Sequence, residues 1–333
     1  VQLASVDKTV VGVMGWPYSS RVADAISVLA QAHIPMISQT ASSDSFTNAS
    51  RYFFRVAPPN LSQGKAGAQY AEQRLNAHKV VVWEDPNDPY SDSLAKAFSQ
   101  QFTGDHNTVL ATEDYTVGKP DSFNQLLTKS ETFNPDLIYF SGYANDASVL
   151  LTDLPTSGQY ASLNILGGDA LYEVQGYQSS AHAATARMRF TTFAYPDEWQ
   201  ALCSGGQKFA CTLPAFFQDY TSAFDPNNQH VGNPYGYSRA DGDAILSYDA
   251  TFAILSAAQI ELTGNKTTLT PADLLAGLQQ IKGAQAIQGV SGQIAFDSAG
   301  NPVNKAFVIL RVAPGGFFQM DSVVGCFQKG GAC

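Results

Sequence analysis

Three groups of side chains in this sequence are of types that do chemistry. The first is acidic. Glu84, Asp85, Asp88 and Asp92 follow the apolar run KVVVW. Close carboxylates suit a hard cation such as calcium, but this spacing matches no EF-hand loop, and Pro86 and Pro89 interrupt it. Acids gathered where a strand gives way to a helix N-terminus explain the cluster better. The second group is the four cysteines. Cys203 and Cys211 close CSGGQKFAC, and Cys326 and Cys333 close CFQKGGAC. Two sequence-local disulfides, Cys203–Cys211 and Cys326–Cys333, are expected in an oxidising compartment, with reduced thiols as the alternative. Zinc is disfavoured, because neither spacing is C-x-x-C and no histidine lies close by. The third group is hydroxyls at strand-to-helix junctions. Ser19 and Ser20 follow an apolar run and precede a helical pattern, and Thr40, Ala41 and Ser42 follow PMIS. Helix N-termini with hydroxyls favour anions, although the same hydroxyls also serve as ordinary helix caps.

Catalytic signatures are missing. There is no P-loop, no G-x-G-x-x-G after a strand and no H-E-x-x-H, and GVSGQ at 289–293 has Gln293 where a nucleophile elbow needs Gly. The five histidines are scattered, with no close pair. No nucleophile, base and orienting group come together, so binding rather than catalysis is expected, with no cofactor and no metal.

The elements that would position these residues alternate. TVVGVM (9–14), PMIS (35–38), YFFRV (52–56), KVVVW (79–83), TVLATEDY, DLIYF (136–140) and LNILGG (163–168) read as strands. Amphipathic helical stretches lie between them, at 20–32, 65–75, 91–102, 121–130 and 146–154. Strands alternating with helices imply βαβ units and parallel sheets covered on both faces. The run ARMRFTTF (186–193) closes this half. Helices over 215–224 and 244–262 follow, then one starting at Pro271 with Thr270 as its N-cap. The end reads as strands, with DSAG as a hairpin turn.

Length and charge bound the reading. The 333 residues exceed what one core usually supports, so two lobes are expected. Apolar residues make up 44%, enough for a sizeable core, and the net charge of −10 leaves no basic surface for nucleic acid. No apolar run approaches the ~20 residues that span a bilayer.

Five blocks, in order, resemble the type I periplasmic (solute) binding proteins of ABC transporters, most closely the branched-chain amino-acid (Leu/Ile/Val) binding subfamily. They are VVGVMGWPYSSRVADAISVLAQAHIPMISQTASSDSFT with RYFFRVAPPNLSQG, KVVVWEDPNDPYSDSLAKAF, FNPDLIYFSGYANDASVLL, LNILGGDALYE, and SYDATFAILSAAQ with GVSGQIAFDSAGNP. The resemblance implies an α/β fold of two Rossmann-like lobes, with parallel sheets flanked by helices, joined by a multi-crossing hinge. Residues 1–58 and 240–288 would form lobe 1 and 59–239 lobe 2, with 289–333 a C-terminal hairpin and crossing segment. A strand–helix–strand unit precedes the first block in the family and is expected to be missing here.

The implied function is an extracytoplasmic protein, in the periplasm or at the cell surface, where a lipid anchor on the missing N-terminus would hold it, that captures a small ligand between its lobes and delivers it to an ABC transporter permease. The ligand would be an amino acid or similar zwitterion, and the protein a monomer. The alternative is the ligand-sensing ectodomain of a signalling receptor. By the resemblance, Ser19, Ser20, Thr40, Ala41 and Ser42 bind the ligand carboxylate, Asp169 pairs with its ammonium group, and Tyr90 and Tyr143 close over it. Trp16 and Tyr18 would wall the site or pack its loop. Asp243 would make it more polar than a leucine site, or serve as a helix-start acid.

Overall fold

The computed structural model describes residues 6–7, 9–173, 177, 179–181, 183–194, 213–230, 235–263, 266–313 and 317–324. All four cysteines, and with them both expected disulfides, lie outside these residues. The chain divides into two compact units. Unit 1 holds the described residues of 1–59 and 243–306, and unit 2 those of Asn60–Gly242 and Phe307–Val324. The chain passes between units at 59–60, 242–243 and 306–307. The C-terminal segment is thereby shared: 289–306 belongs to unit 1 and Phe307–Val324 to unit 2.

Unit 1 opens with a three-stranded parallel sheet, β1 (Val13–Met14), β2 (Met36–Ser38) and β3 (Phe53–Arg55), in that order. Helix α1 (Ser19–Gln31) crosses from β1 to β2. Its Val22, Ala25, Ile26 and Leu29 recur at helical spacing and pack with Ile34, Met36, Phe46 and Phe53. The expected strand over 9–14 is much shorter. Its residues are half-buried or exposed, and among the described residues β1 pairs on one side, with β2.

The rest of unit 1 is two helices and a hairpin. Helix α7 (Gly242–Glu261) is apolar around its circumference, yet Leu255 and Leu262 just beyond its end are exposed. Helix α8 (Pro271–Gln280) starts as expected. Thr270 and Asp273 form a reciprocal capping box with Pro at the first turn. The antiparallel hairpin joins β9 (Ile287–Gly289) to β10 (Gly292–Ile294). DSAG lies beyond it as a second reversal, as expected, with Phe296 and Pro302 paired antiparallel across it and the Val303 amide donating to the Ala295 carbonyl at 2.8 Å.

Unit 2 is a seven-stranded sheet in the order β12-β11-β8-β7-β6-β4-β5. Its parallel strands are β4 (Lys79–Glu84), β5 (Thr108–Asp114), β6 (Leu137–Phe140), β7 (Asn164–Gly167) and β8 (Met188–Thr192). The strands β11 (Phe307–Val312) and β12 (Phe318–Val324) add an antiparallel edge. Helices α2 (Asn60–Leu75), α3 (Pro89–Gly104), α4 (Asn124–Glu131), α5 (Ala144–Asp153) and α6 (Ala215–Phe224) complete it. Central strands read as continuous apolar runs because both faces are covered: Leu137, Ile138, Tyr139 and Phe140 are all fully buried.

Helix α2 begins five residues before the sequence suggests. The segment after Pro58-Pro59 resembles a turn, but Asn60 and Gln63 bury their amides and the helix runs from Asn60. The strand order places β4 and β6 side by side although β5 separates them in the chain. That is the topological switch point, where open α/β sheets bind ligands beyond the carboxyl ends of the strands.

Candidate functional site

In unit 1 two loops carry the hydroxyl residues, and three hydrogen bonds join them. Ser38 Oγ donates to the Trp16 carbonyl at 2.7 Å. Thr40 Oγ1 donates to the Pro17 carbonyl at 3.0 Å. The Ser43 amide donates to Ser19 Oγ at 3.2 Å. Loop 15–19 after β1 and loop 39–43 after β2 thus form one surface. The backbone is already partly committed. The Ala41 amide donates to Ser38 Oγ and the Ser43 amide to Ser19, so neither is left for a ligand. The Ser42 hydroxyl is different: it is fully buried and has no hydrogen-bond partner among the described residues. Buried hydroxyls normally find one.

Sequence reading missed what holds this loop. Arg55, at the end of β3, is fully buried. Its Nη1 donates to the carbonyls of Ala41 at 3.2 Å and Ser43 at 2.8 Å. Nη2 donates to Thr47 Oγ1 at 3.0 Å and Nε to Asn301 Oδ1 at 2.8 Å. Burial pulls the guanidinium down to about 10, against the pull of Asp44 and Asp297, which favour its charge. It stays protonated at neutral pH and sets a positive charge beneath the Ser42 loop. One charged residue inside the apolar run YFFRV was the available signal.

The remaining unit 1 candidates separate. Ser19 is buried at the first position of α1, whereas Ser20 is exposed. Trp16 is half-buried and packs against the core cluster of α1 and the sheet. Tyr18 is the α1 N-cap residue and is 40% exposed. Asp243 occupies the first turn of α7, where an acid is favoured by the helix dipole.

In unit 2 the three predicted residues come together at the switch point. Tyr90, in the first turn of α3 after β4, and Tyr143, just before α5 after β6, stack obliquely with ring centroids 5.3 Å apart. Tyr90 OH donates to Asp169 Oδ1 at 2.9 Å. The close approach requires Gly168, since a Cβ there would lie 2.4 Å from Tyr90 OH. Tyr143 OH donates to Asp88 Oδ1 at 3.1 Å. Asp88 is the N-cap of α3, accepting from the Tyr90 and Ser91 amides, so the acidic cluster does serve a helix start. The β4 and β6 loops are tied reciprocally: Ser91 Oγ donates to the Ser141 carbonyl, and Ser141 Oγ to the Ser91 carbonyl at 2.7 Å.

Asp169 begins the single helical turn after β7. Burial pushes its carboxyl up to about 6, although hydrogen bonding, from the Tyr90 phenol among others, favours the ionised form. The phenol is a neutral donor. A partly buried carboxylate of this kind gains most from a cation.

Two α/β units, each with polar side chains at the carboxyl ends of parallel strands, define the class of a type I binding protein. Solved structures share the fold. A leucine-binding protein LivK from Thermotoga maritima MSB8 superposes with a TM-score of 0.77 at 20% identity, over 97% of this chain and 82% of that one. LivJ from Streptococcus pneumoniae, in complex with isoleucine, gives 0.72 at 22%, over 97% and 82%. A solute-binding protein of an ABC transporter from Rhodopseudomonas palustris HaA2, in complex with p-hydroxybenzoic acid, gives 0.73 at 16%, over 98% and 81%.

Residues 2–316 match the periplasmic binding protein family, and the chain belongs to that family. The likeness is to its branched-chain amino-acid subfamily. The Leu/Ile/Val-binding protein BraC3 of Rhizobium johnstonii is 26% identical over 170 residues, 50% of this chain and 45% of that protein. The leucine-specific-binding protein of Salmonella typhimurium is 22% identical over 182 residues, 54% and 49%. The chain spans about half the length of the curated relatives it matches.

Proposed function

We propose that this chain is an extracytoplasmic solute-binding protein that captures an α-amino acid or similar zwitterion and presents it to an ABC transporter permease. The observation that carries the reading is Asp169: a carboxylate raised by burial, held by neutral donors beside two tyrosines. A ligand ammonium supplies the charge it lacks, and the tyrosine faces supply apolar and cation–π contact. Ser42 supports the other half. Its buried hydroxyl, over the Arg55 guanidinium, suits a ligand carboxylate. The named ligands of the relatives, leucine, isoleucine and p-hydroxybenzoic acid, share a carboxylate, which accords with the Ser42 end. Asp169 is what favours an amino acid over an aromatic acid.

Binding and release would follow the family's hinge closure, with the closed form engaging the permease. Among the described residues no helix is long and apolar enough to cross a membrane.

Ser42→Ala and Asp169→Asn are each expected to weaken amino-acid binding by more than ~1 kcal/mol, because each leaves a charged ligand group unmet. Isothermal titration calorimetry against an amino-acid panel measures this, and unchanged affinity in both variants would remove the zwitterion reading. The pH dependence has a definite sign. Below about 6 the Asp169 carboxyl takes up a proton and ceases to pair with an ammonium. Affinity for the amino acid should therefore fall as pH drops through that value and be flat above it. In Asp169→Asn the fall should vanish.

A further inference from the structure

Tyr115 is not among the residues the sequence singles out for the site, yet it touches the turn that carries Tyr143. It is the first residue after β5, and its amide donates to the Glu84 carbonyl, at the end of β4, at 2.9 Å. Its ring stacks on Phe140 of β6, with centroids 5.4 Å apart and planes 20° apart. Its hydroxyl donates to the Ser141 carbonyl at 3.2 Å, the same carbonyl that accepts from Ser91 Oγ. Gly142 is what admits this approach: a Cβ there would lie 1.9 Å from the Tyr115 oxygen. The loop that follows Tyr115 reaches the other side of Tyr143. The Gly118 amide donates to the Asp146 carboxylate, 3.1 Å from each oxygen, and Asp146 lies in the first turn of α5. The Val117 amide donates to Asp85 Oδ2 at 2.8 Å, which ties the loop itself to the residue just past β4. Loop 115–118 thus holds the chain on both sides of Tyr143.

We infer that Tyr115 is a positioning residue: it fixes turn 141–143 so that the Tyr143 ring stands against Tyr90, whose hydroxyl donates to Asp169. This rests on the reading of Tyr90, Tyr143 and Asp169 as the ammonium end of the site. Tyr143 is the N-cap residue of α5 but makes no side-chain cap hydrogen bond, and its hydroxyl donates instead to Asp88. The turn is therefore held by its neighbours rather than by its own cap. Ser91 holds it from the α3 side and Tyr115 from the β5 side. Burial pushes the Tyr115 phenol up, so it keeps the proton it donates. An aromatic wall fixed before the ligand arrives loses less freedom on binding, and the affinity is higher for it.

Tyr115→Phe keeps the ring and removes only the hydroxyl. The ligand-free full chain is labelled with carbon-13 at the tyrosine Cζ, and the Tyr143 resonance, which reports its hydrogen bond to Asp88, is assigned by Tyr143→Phe. That resonance should shift in Tyr115→Phe, while that of Tyr160, which donates to the Glu131 carbonyl away from the turn, should not. Calorimetry with the tightest binder of an amino-acid panel that includes L-leucine should show affinity falling about fivefold, the loss of roughly one neutral hydrogen bond. An unmoved Tyr143 resonance, or an unchanged affinity in a protein that binds amino acids, overturns the inference. The two claims fail separately. If the resonance moves while no amino acid binds the unmodified protein, the ammonium reading fails and the hold of Tyr115 on the turn stands. If amino acids bind the unmodified protein while the resonance stays put, the reverse holds.

Discussion

Replacing Arg55 with Met is expected to destabilise unit 1 by about 3–5 kcal/mol, because several buried acceptors lose a charged donor at once. The guanidinium holds the carbonyls of Ala41 and Ser43, Thr47 Oγ1 and Asn301 Oδ1. No methionine atom replaces any of these bonds. Thermal unfolding followed by circular dichroism should show a drop on the order of 10 °C in the transition that reports unit 1. Arg55→Lys separates charge from geometry. Lysine keeps the cation but lacks the planar fork that reaches several acceptors from one position. It should recover only part of the loss. Full recovery would mean that the positive charge, not the fork, organises the Ser42 loop.

Asp249→Ala should cost a similar amount, about 3–5 kcal/mol, for a different reason. Asp249 of α7 is fully buried and accepts from the Val290 amide at 2.7 Å, the Ser291 amide at 2.9 Å and the Ser291 hydroxyl. Lys305 Nζ lies 3.9 Å from its carboxylate and donates to Ser291 Oγ. Burial pushes Asp249 up and pulls Lys305 down to about 8. Removing the acid strands a buried ammonium, and that is where most of the penalty arises. The sign with pH follows. Without Asp249 the lysine loses the interaction that favours its charge, so it sheds its proton more readily as pH rises. The deficit of Asp249→Ala relative to the unmodified protein should therefore shrink from neutral pH toward pH 9. Asp249→Leu combined with Lys305→Met should restore only the part of the stability lost to the stranded ammonium, since the Val290 and Ser291 amides still lose their acceptor. A deficit independent of pH, with no recovery in the double variant, would contradict this account of the cluster.

Periodicity made most of the fold legible. Strands flanked by helices, such as KVVVW and DLIYF, carry their own signature because both sheet faces are covered. It misled at the edges. The run TVVGVM is as apolar as a central strand, but apolarity says nothing about whether a neighbouring strand is present, and among the described residues β1 has a partner on one side only. The Pro-Pro-Asn segment looked like a turn because buried amides at a helix start resemble the polar residues of a loop. The proposed site was legible where a residue type and a strand end coincide, as in the grouping of Tyr90, Tyr143 and Asp169. It was not legible for Arg55 and Asp88, whose roles are to hold other groups. Such residues are identified by what they touch, and Asp249 with Lys305, 56 positions apart in sequence, is the same case.

The central claim is that the ligand is an amino acid whose ammonium group pairs with Asp169 of unit 2. Calorimetry at pH 7.5 with the tightest-binding amino acid of a panel, its deaminated acid and its decarboxylated amine tests it most directly; for leucine these are 4-methylpentanoate and 3-methylbutylamine. The account predicts that each truncated compound binds at least about tenfold more weakly than the parent, the equivalent of ~1.4 kcal/mol for one unmet charged group. A deaminated acid that binds as tightly as its parent would contradict it.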